Sequence, residues 1–475
     1  MSNRALIPLL IAQTALVVGA CLAIRSGALP TGVRGEWEWL RIAARPDPFA
    51  LGIAGASILA LAGLAMAGSR AIDRGGRPWG WLVALGAAAI VVQGAVQEGA
   101  PPGFGLAKWS IALASPGSSG YYTIAREIDD LPGFLRAYPG WIARGDSLHV
   151  GTHPPGLFVA NWATLRFFRD RPGLARAFLG LLPGTAGEGF RAMVPPVPLP
   201  DRASLAAIGA LTMIACALTV VPLFFLARIY VESASAWATA SLWPLVPAAI
   251  LFQPTADAAF PLASTTAIAL AVAAGRRRWL GVFSGLVLAI GCQFTLAFFP
   301  VGLVAGLALA ARGEGSFRRR ATAIGLIGVG FLLGTAALAW AGGFDPIAIW
   351  RANASNHARF YVGYPRSYRA WVLANPIELS IAIGLPIAVW GPLGLRSAPG
   401  VAMATLGTLA FLTVSGKNLS EVARLWLPLM PPLLVLAGAG IDRVRSRPIA
   451  IGTVVVLLGL QALILESTIQ VVYPI

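Results

Sequence analysis

The side chains in this sequence that could do chemistry are few, and most gather in a handful of polar intervals. The longest, residues 98–202, holds Glu98, Tyr121, Tyr122, Asp129, Asp130, Asp146, His149 and His153. Two of the chain's three histidines fall in its segment DSLHVGTHPPGLF, 146–158. A second interval, NASNHARFYVGYPRSYRAW at 353–371, packs His357, Arg359, Arg366 and Tyr368 among further aromatics. A third, KNLSEVAR at 417–424, carries Lys417, Glu421 and Arg424, and Asp257 stands by itself in QPTADAAF. Carboxylates can take a proton from a hydroxyl within a few ångströms. Guanidinium groups bind phosphate oxygens in bidentate fashion. An imidazole can do either near neutral pH, and aromatic rings stack on apolar faces and sit well at lipid headgroup depth.

The elements that must position these groups are apolar. Of 475 residues 57% are hydrophobic and 12% charged, against about 25% charged in soluble domains, and the mean hydropathy is +0.73. The sequence therefore reads as an all-α polytopic membrane protein. Apolar runs lie at 5–24, 49–68, 79–97, 203–227, 233–252, 258–275, 322–341, 377–395, 399–415, 425–441 and 449–471. The interval 279–311, split by GCQFT, reads as two short helices. Together these give an expectation of about 13 spans. The first run is read as an uncleaved helix rather than a secretory signal.

The formal charge of +16 does not point to nucleic acid. Only Lys108 and Lys417 are lysines, and many of the arginines lie in short clusters between apolar runs, at 70–77, 228, 276–278, 312–320, 396 and 443–447. All these clusters fall on one side under the expected span count, as the excess of basic residues in cytoplasmic loops requires. That places the N-terminus inside, the C-terminus outside, and the intervals 25–48, 98–202, 342–376 and 416–424 outside. Pro154 and Pro155 suit the first turn of a juxtamembrane helix at 153–168 that lies in the interface. Cys21, Cys216 and Cys292 all lie in apolar runs without metal-ligand spacing. His149 and His153 are four apart, but Gly151 and the two prolines oppose a continuous metal-binding helix, so a divalent metal is unsupported.

This layout resembles the GT-C superfamily of membrane glycosyltransferases, such as protein O-mannosyltransferases and aminoarabinose transferases. The resemblance covers roughly residues 79–441. It rests on the helix 79–97 leading into the long interval 98–202, the closing His153-Pro154-Pro155, the segment RIYVESASAWATASLWPLVPAAILFQPTAD at 228–257, the hairpin GLVLAIGCQFTLAFFPVGL at 285–303, and SEVARLWLPLMPP at 420–432. Residues 1–78 would then be a two-helix extension, 79–441 the core with outer loops 98–202 and 342–376, and 442–475 a C-terminal loop and last helix.

The resemblance implies transfer of a sugar from a polyprenyl-phosphate donor to a glycan, lipid or protein acceptor at the outer face of the cytoplasmic membrane, and the preference for Arg over Lys together with abundant Ala suggests a bacterial, GC-rich genome. Asp130, Asp129 and Glu98 are the candidate catalytic carboxylates. His149, His153, Tyr121, Tyr122, Asp257, His357, Arg359, Arg366, Tyr368, Lys417, Glu421 and Arg424 are the candidate substrate and phosphate ligands. The sequence departs from the family where Ser118 and Ser119 stand in place of the expected acid before Tyr121. Competing readings are a lipid-linked glycan ligase or polymerase, a flippase or transporter, and an inactive relative. The span centres are almost empty of ionisable residues, which favours interface chemistry over transport.

Overall fold

Helices begin where the sequence supplies caps and first-turn prolines. Asp47 accepts hydrogen bonds from the amides of Phe49 at 3.1 Å and Ala50 at 3.4 Å and opens the helix Pro48–Asp73. Asp345 does the same for Pro346–Gly363, accepting from Ile347 at 2.9 Å and Ala348 at 3.1 Å. In each case a carboxylate satisfies amides that have no partner within the helix, and proline at the first position lacks the N–H that would otherwise need one. The structure, a computed structural model, describes residues 3–145, 148, 150–312 and 316–471.

Among the described residues seven helices are long and apolar enough to cross a membrane: Leu6–Ser26, Pro48–Asp73, Pro78–Glu98, Leu199–Ala227, Ala256–Ala273, Phe317–Gly342 and Arg447–Thr468. An eighth crossing is formed if Tyr368–Ile383 and Leu385–Gly394, bent by 99°, count as one. The expectation of about 13 spans is therefore corrected to seven or eight. Hydropathy registers composition, whereas crossing demands continuity. Pro244 and Pro247 break 233–252 into Ser233–Leu242, a 3-10 turn at Trp243–Leu245 and Pro247–Leu251. Gly384, at φ 104°, makes the sharp bend after Ile383. Leu280–Gly291 and Phe298–Ala310 have 12 and 13 residues, or about 18–20 Å of helix, which is short of a core about 30 Å thick.

Close contact between these helices depends on small residues. A Cβ added at Gly285 would lie 2.1 Å from the Ile327 carbonyl oxygen, and one at Gly330 would lie 2.1 Å from that of Val282. Only glycine lets the Leu280–Gly291 and Phe317–Gly342 backbones meet in this way. The expected N-terminal extension and C-terminal segment pack on each other, since Asn3–Ser26 and Pro48–Asp73 both lie against Arg447–Thr468.

Two opposite ends of the bundle are defined by this packing. At one, strand Leu40–Arg41 pairs antiparallel with Ile469–Gln470. At the other, Arg447 bridges to Asp73 at 3.2 Å. The arginine-rich connections belong to the second end. There the Arg319 guanidinium donates to the Arg276 carbonyl, Arg312 to that of Val272 at 2.7 Å, and Arg443 to Ser397 Oγ at 3.2 Å. The long interval after Glu98 folds over the first end as a series of short helices, from Lys108–Ala114 to Gly184–Arg191.

Candidate functional site

The HPP segment is fixed from both sides. Tyr138 donates its hydroxyl to the His153 carbonyl at 2.7 Å, and Asn353 Nδ2 donates to the carbonyls of Gly151 at 3.0 Å and His153 at 3.1 Å. Asn356 adds bonds to the Ile142 and Gly151 carbonyls at 2.8 and 2.7 Å. Asn353 is fully buried, so the NAS tripeptide at 353–355 is a packing element and not an exposed glycan acceptor. The interface helix starts at Gly156, whose amide donates to the Gln293 carbonyl at 2.7 Å. Pro155 occupies the cap position rather than the first turn.

Around this anchor the structure gathers seven of the residues singled out in the sequence. The His153 ring packs edge-on to Tyr121, centroids 5.6 Å apart. His357 lies within electrostatic reach of His153, Lys417 and Glu421. Arg424 is paired with Glu421 and lies within electrostatic reach of Asp257 and Tyr121. The cluster thus draws on four separate stretches: the loop after Glu98, the turn at Asp257, the helix Pro346–Gly363, and the segment 417–424.

Its electrostatics are mixed. Burial lowers the His357 pKa, the neighbouring His153 and Lys417 lower it further, and Glu421 opposes them. Burial also works against charge on Arg424, but Glu421, Asp257 and Tyr121 more than reverse this and hold the guanidinium protonated. Burial raises the Tyr361 phenol. That hydroxyl donates to the Lys417 carbonyl at 3.2 Å and accepts from the Leu419 amide at 2.9 Å, which pins the 417–419 backbone over the site.

The turn that carries the acid is strained. Ser420 and Glu421 are the positive-φ residues other than glycine among those described, at 79° and 55°. A left-handed conformation costs roughly 1–2 kcal/mol per such residue, and it persists where surrounding contacts over-determine it. Here Arg366 Nε donates to Ser420 Oγ at 3.3 Å, and Asn375 holds the Asn418 carbonyl at 2.8 Å.

Other expected site residues lie elsewhere. Asp129 and Asp130 are displayed to solvent, 3.8 Å from Arg166 and 4.0 Å from Arg136, rather than enclosed with the histidines. Both flank the start of helix Leu131–Ala143, where a polar pair is well solvated. Glu98 ends its helix and accepts from Thr185. Tyr122 turns away from Tyr121 into the protein, and its hydroxyl donates to buried Asp201 at 3.0 Å. Arg359 is exposed and bonds back to Asn356. Tyr368 donates to the Val414 carbonyl at 2.6 Å at the rim. His149 and Asp146 lie outside the described residues.

Sequence reasoning missed three contributors. Glu36, between the first two helices, accepts from Trp371 Nε1 at 2.7 Å and the Ser367 amide at 2.9 Å. Burial works to raise its pKa, but these donors and Arg366 hold it below the usual carboxylate range. The pair Asn353 and Asn356 was legible only as polar residues at helical spacing. Glu378 was hidden inside an apolar run.

Among the described residues no group of three or more His, Cys, Asp and Glu is arranged to hold a metal ion. The all-α architecture and its seven or eight crossing helices define a polytopic helical membrane protein. No protein-family model matches the chain, and no curated protein matches it.

Proposed function

We propose that this chain is a membrane glycosyltransferase that takes its sugar from a polyprenyl-phosphate donor. The cluster around Arg424 is its active site, and the reaction occurs on the membrane face opposite the arginine-rich loops. That face is the outer side of the cytoplasmic membrane by the positive-inside rule. The observation that carries this reading is the Arg424–Glu421 pair within electrostatic reach of Asp257 and Tyr121, beside the His357 ring and its neighbours His153 and Lys417. A cationic group beside a carboxylate at headgroup depth suits a phosphate leaving group and an acceptor hydroxyl that must lose a proton.

In this mechanism the lipid tail of the donor stays in the bilayer and its phosphate meets Arg424 and Lys417. Negative charge grows on the phosphate as the bond to the anomeric carbon breaks, and preformed cations stabilise that charge most in the transition state. Glu421 is already committed to Arg424, so Asp257 is the carboxylate placed to accept the acceptor's proton. This assignment replaces Asp129, Asp130 and Glu98, whose surroundings are solvent or a threonine. His153 and His357 orient the phosphate, and Tyr121 forms the wall against which the sugar rests. The chain uses membrane lipid as solvent and needs no nucleic acid partner. The resemblance to the GT-C superfamily supports the same class of reaction.

The test uses purified full-length protein in lipid nanodiscs with a panel of polyprenyl-phosphate hexoses and pentoses and of hydroxyl-bearing glycan, lipid and peptide acceptors, and follows release of polyprenyl phosphate. Asp257→Asn and Arg424→Ala should each abolish release, while Asp129→Asn and Asp130→Asn should retain it. Full turnover in Arg424→Ala, or no binding of polyprenyl phosphate by the intact protein, rules the reading out.

A further inference from the structure

A second charged cavity lies at the opposite end of the bundle, among the arginine-rich connections. It has a volume of about 320 Å³ and is lined by Arg70, Asp73, Asp442, Arg443, Arg445 and Arg447. Four arginines face two aspartates, and the aspartates are already engaged. Arg447 bridges Asp73 at 3.2 Å and Asp442 at 3.1 Å, and Ser235 donates its hydroxyl to Asp442. The Arg447 side chain is only 17% exposed, and its Nε is buried without a hydrogen-bond partner. Arg70 and Arg445 reach the exposed rim.

Depth and surroundings restrict what could enter. Helix Pro48–Asp73 has 26 residues, about 39 Å of rise, enough to carry Arg70 and Asp73 past a hydrocarbon core about 30 Å thick. The cavity therefore sits at the level of lipid headgroups. Beside it Ile449 is 55% exposed, directly after Pro448 at the cavity wall, and offers an apolar surface to an acyl chain. Basic pockets at the ends of membrane helices favour anionic headgroups. The guanidinium fork matches phosphate oxygens better than an ammonium group does.

We propose that this cavity binds a phosphate oxyanion, supplied by an anionic glycerophospholipid of the adjoining leaflet. The phosphate sits against Arg70, Arg443 and Arg445, Arg447 holds the two aspartates out of its way, and the acyl chains descend past Ile449. Bound there, the lipid ties helix Pro48–Asp73 to the start of Arg447–Thr468. This inference does not depend on the chemistry at the other face.

The test is native mass spectrometry of the detergent-purified full chain with phosphatidylglycerol or phosphatidylcholine of identical acyl chains, together with thermal unfolding in inorganic phosphate. Phosphatidylglycerol should be retained in preference to phosphatidylcholine. Arg70→Gln with Arg445→Gln should weaken that retention about thirtyfold, about 1 kcal/mol for each arginine. Arg277→Gln with Arg278→Gln, on the same arginine-rich face, should leave it unchanged. Protection by inorganic phosphate, lost in the same double variant, would assign the site to soluble phosphate as well as lipid. Silence with phosphate alongside selective lipid retention assigns it to the lipid. Equal retention of both lipids by the unmodified protein overturns the proposal, and so does an equal effect of the two double variants.

Discussion

The Glu378 carboxylate accepts the main-chain amide of Ala423 at 3.0 Å, and through this bond a buried side chain in one helix supports the turn that carries Glu421 and Arg424. Glu378 is 6% exposed and its second oxygen has no hydrogen-bond partner, so it acts on the cluster from behind.

Replacing Glu378 with alanine should remove that support. We expect a loss of about 1–3 kcal/mol, the cost of a buried amide left without its acceptor. Glu378→Gln keeps an acceptor oxygen and should lose less. Thermal unfolding in nanodiscs measures both, and equal melting temperatures for the two variants and the parent would show that the bond contributes nothing.

Lys108 and Glu466 form a buried ion pair far apart in sequence, and Lys108 also reaches the Leu251 carbonyl at 3.5 Å. Lys108→Met alone strands a buried carboxylate and should cost about 3–5 kcal/mol. Lys108→Met with Glu466→Leu should recover most of that loss, because the two desolvation penalties vanish together. The comparison of single and double variants by thermal unfolding is decisive. A double variant as weak as the single one would mean the pair is not coupled.

Asp201 anchors the long interval to the membrane helices. It accepts from Tyr122 at 3.0 Å and pairs with Arg126 at 3.1 Å and Arg169 at 3.6 Å. Asp201→Ala should destabilise the chain by about 2 kcal/mol, since both arginines are partly solvated and the pairs are screened. Limited proteolysis within 99–198 should speed up correspondingly. Unchanged cleavage would place the anchor elsewhere.

His357 should give the site a pH response. Its folded pKa lies below the ordinary value of about 6.5, so the unfolded chain takes up the proton first as pH falls. Its contribution to stability is complete above about 6.5 and is lost as pH falls toward the depressed folded value. His153, Lys417 and Glu421 face the same ring. Melting temperature should therefore decline from about pH 7 to about pH 5 more steeply in the parent than in His357→Gln. Parallel curves would remove His357 as the source.

The same residues show where sequence reading reaches its limit. Asp129 and Asp130 are candidate catalytic carboxylates by sequence, yet at the start of the helix Leu131–Ala143 both stand in water. Asp257, a lone acid in an apolar stretch, comes within electrostatic reach of Arg424 from a distant part of the chain. Glu36 lies in the connection between the first two helices and accepts from Trp371, 335 residues further along the chain. No local pattern encodes these pairings, because each depends on where distant helices cross.

By itself the sequence determined that this is a helical membrane chain, that several arginine clusters fall in short connections between its apolar runs, and that its histidines and most of its tyrosines and other arginines fall in the longer polar intervals. Those properties follow from transfer energies and from the roughly twenty-residue length of a crossing helix, and both act on contiguous stretches. Tertiary structure alone decided which apolar runs stay whole, since prolines and one bent glycine interrupt several of them. It also decided that Arg424 pairs with Glu421 within electrostatic reach of Asp257, while Tyr122 meets Asp201. Side chains next to each other in sequence point in different directions on a helix, so only packing assigns each of them a partner.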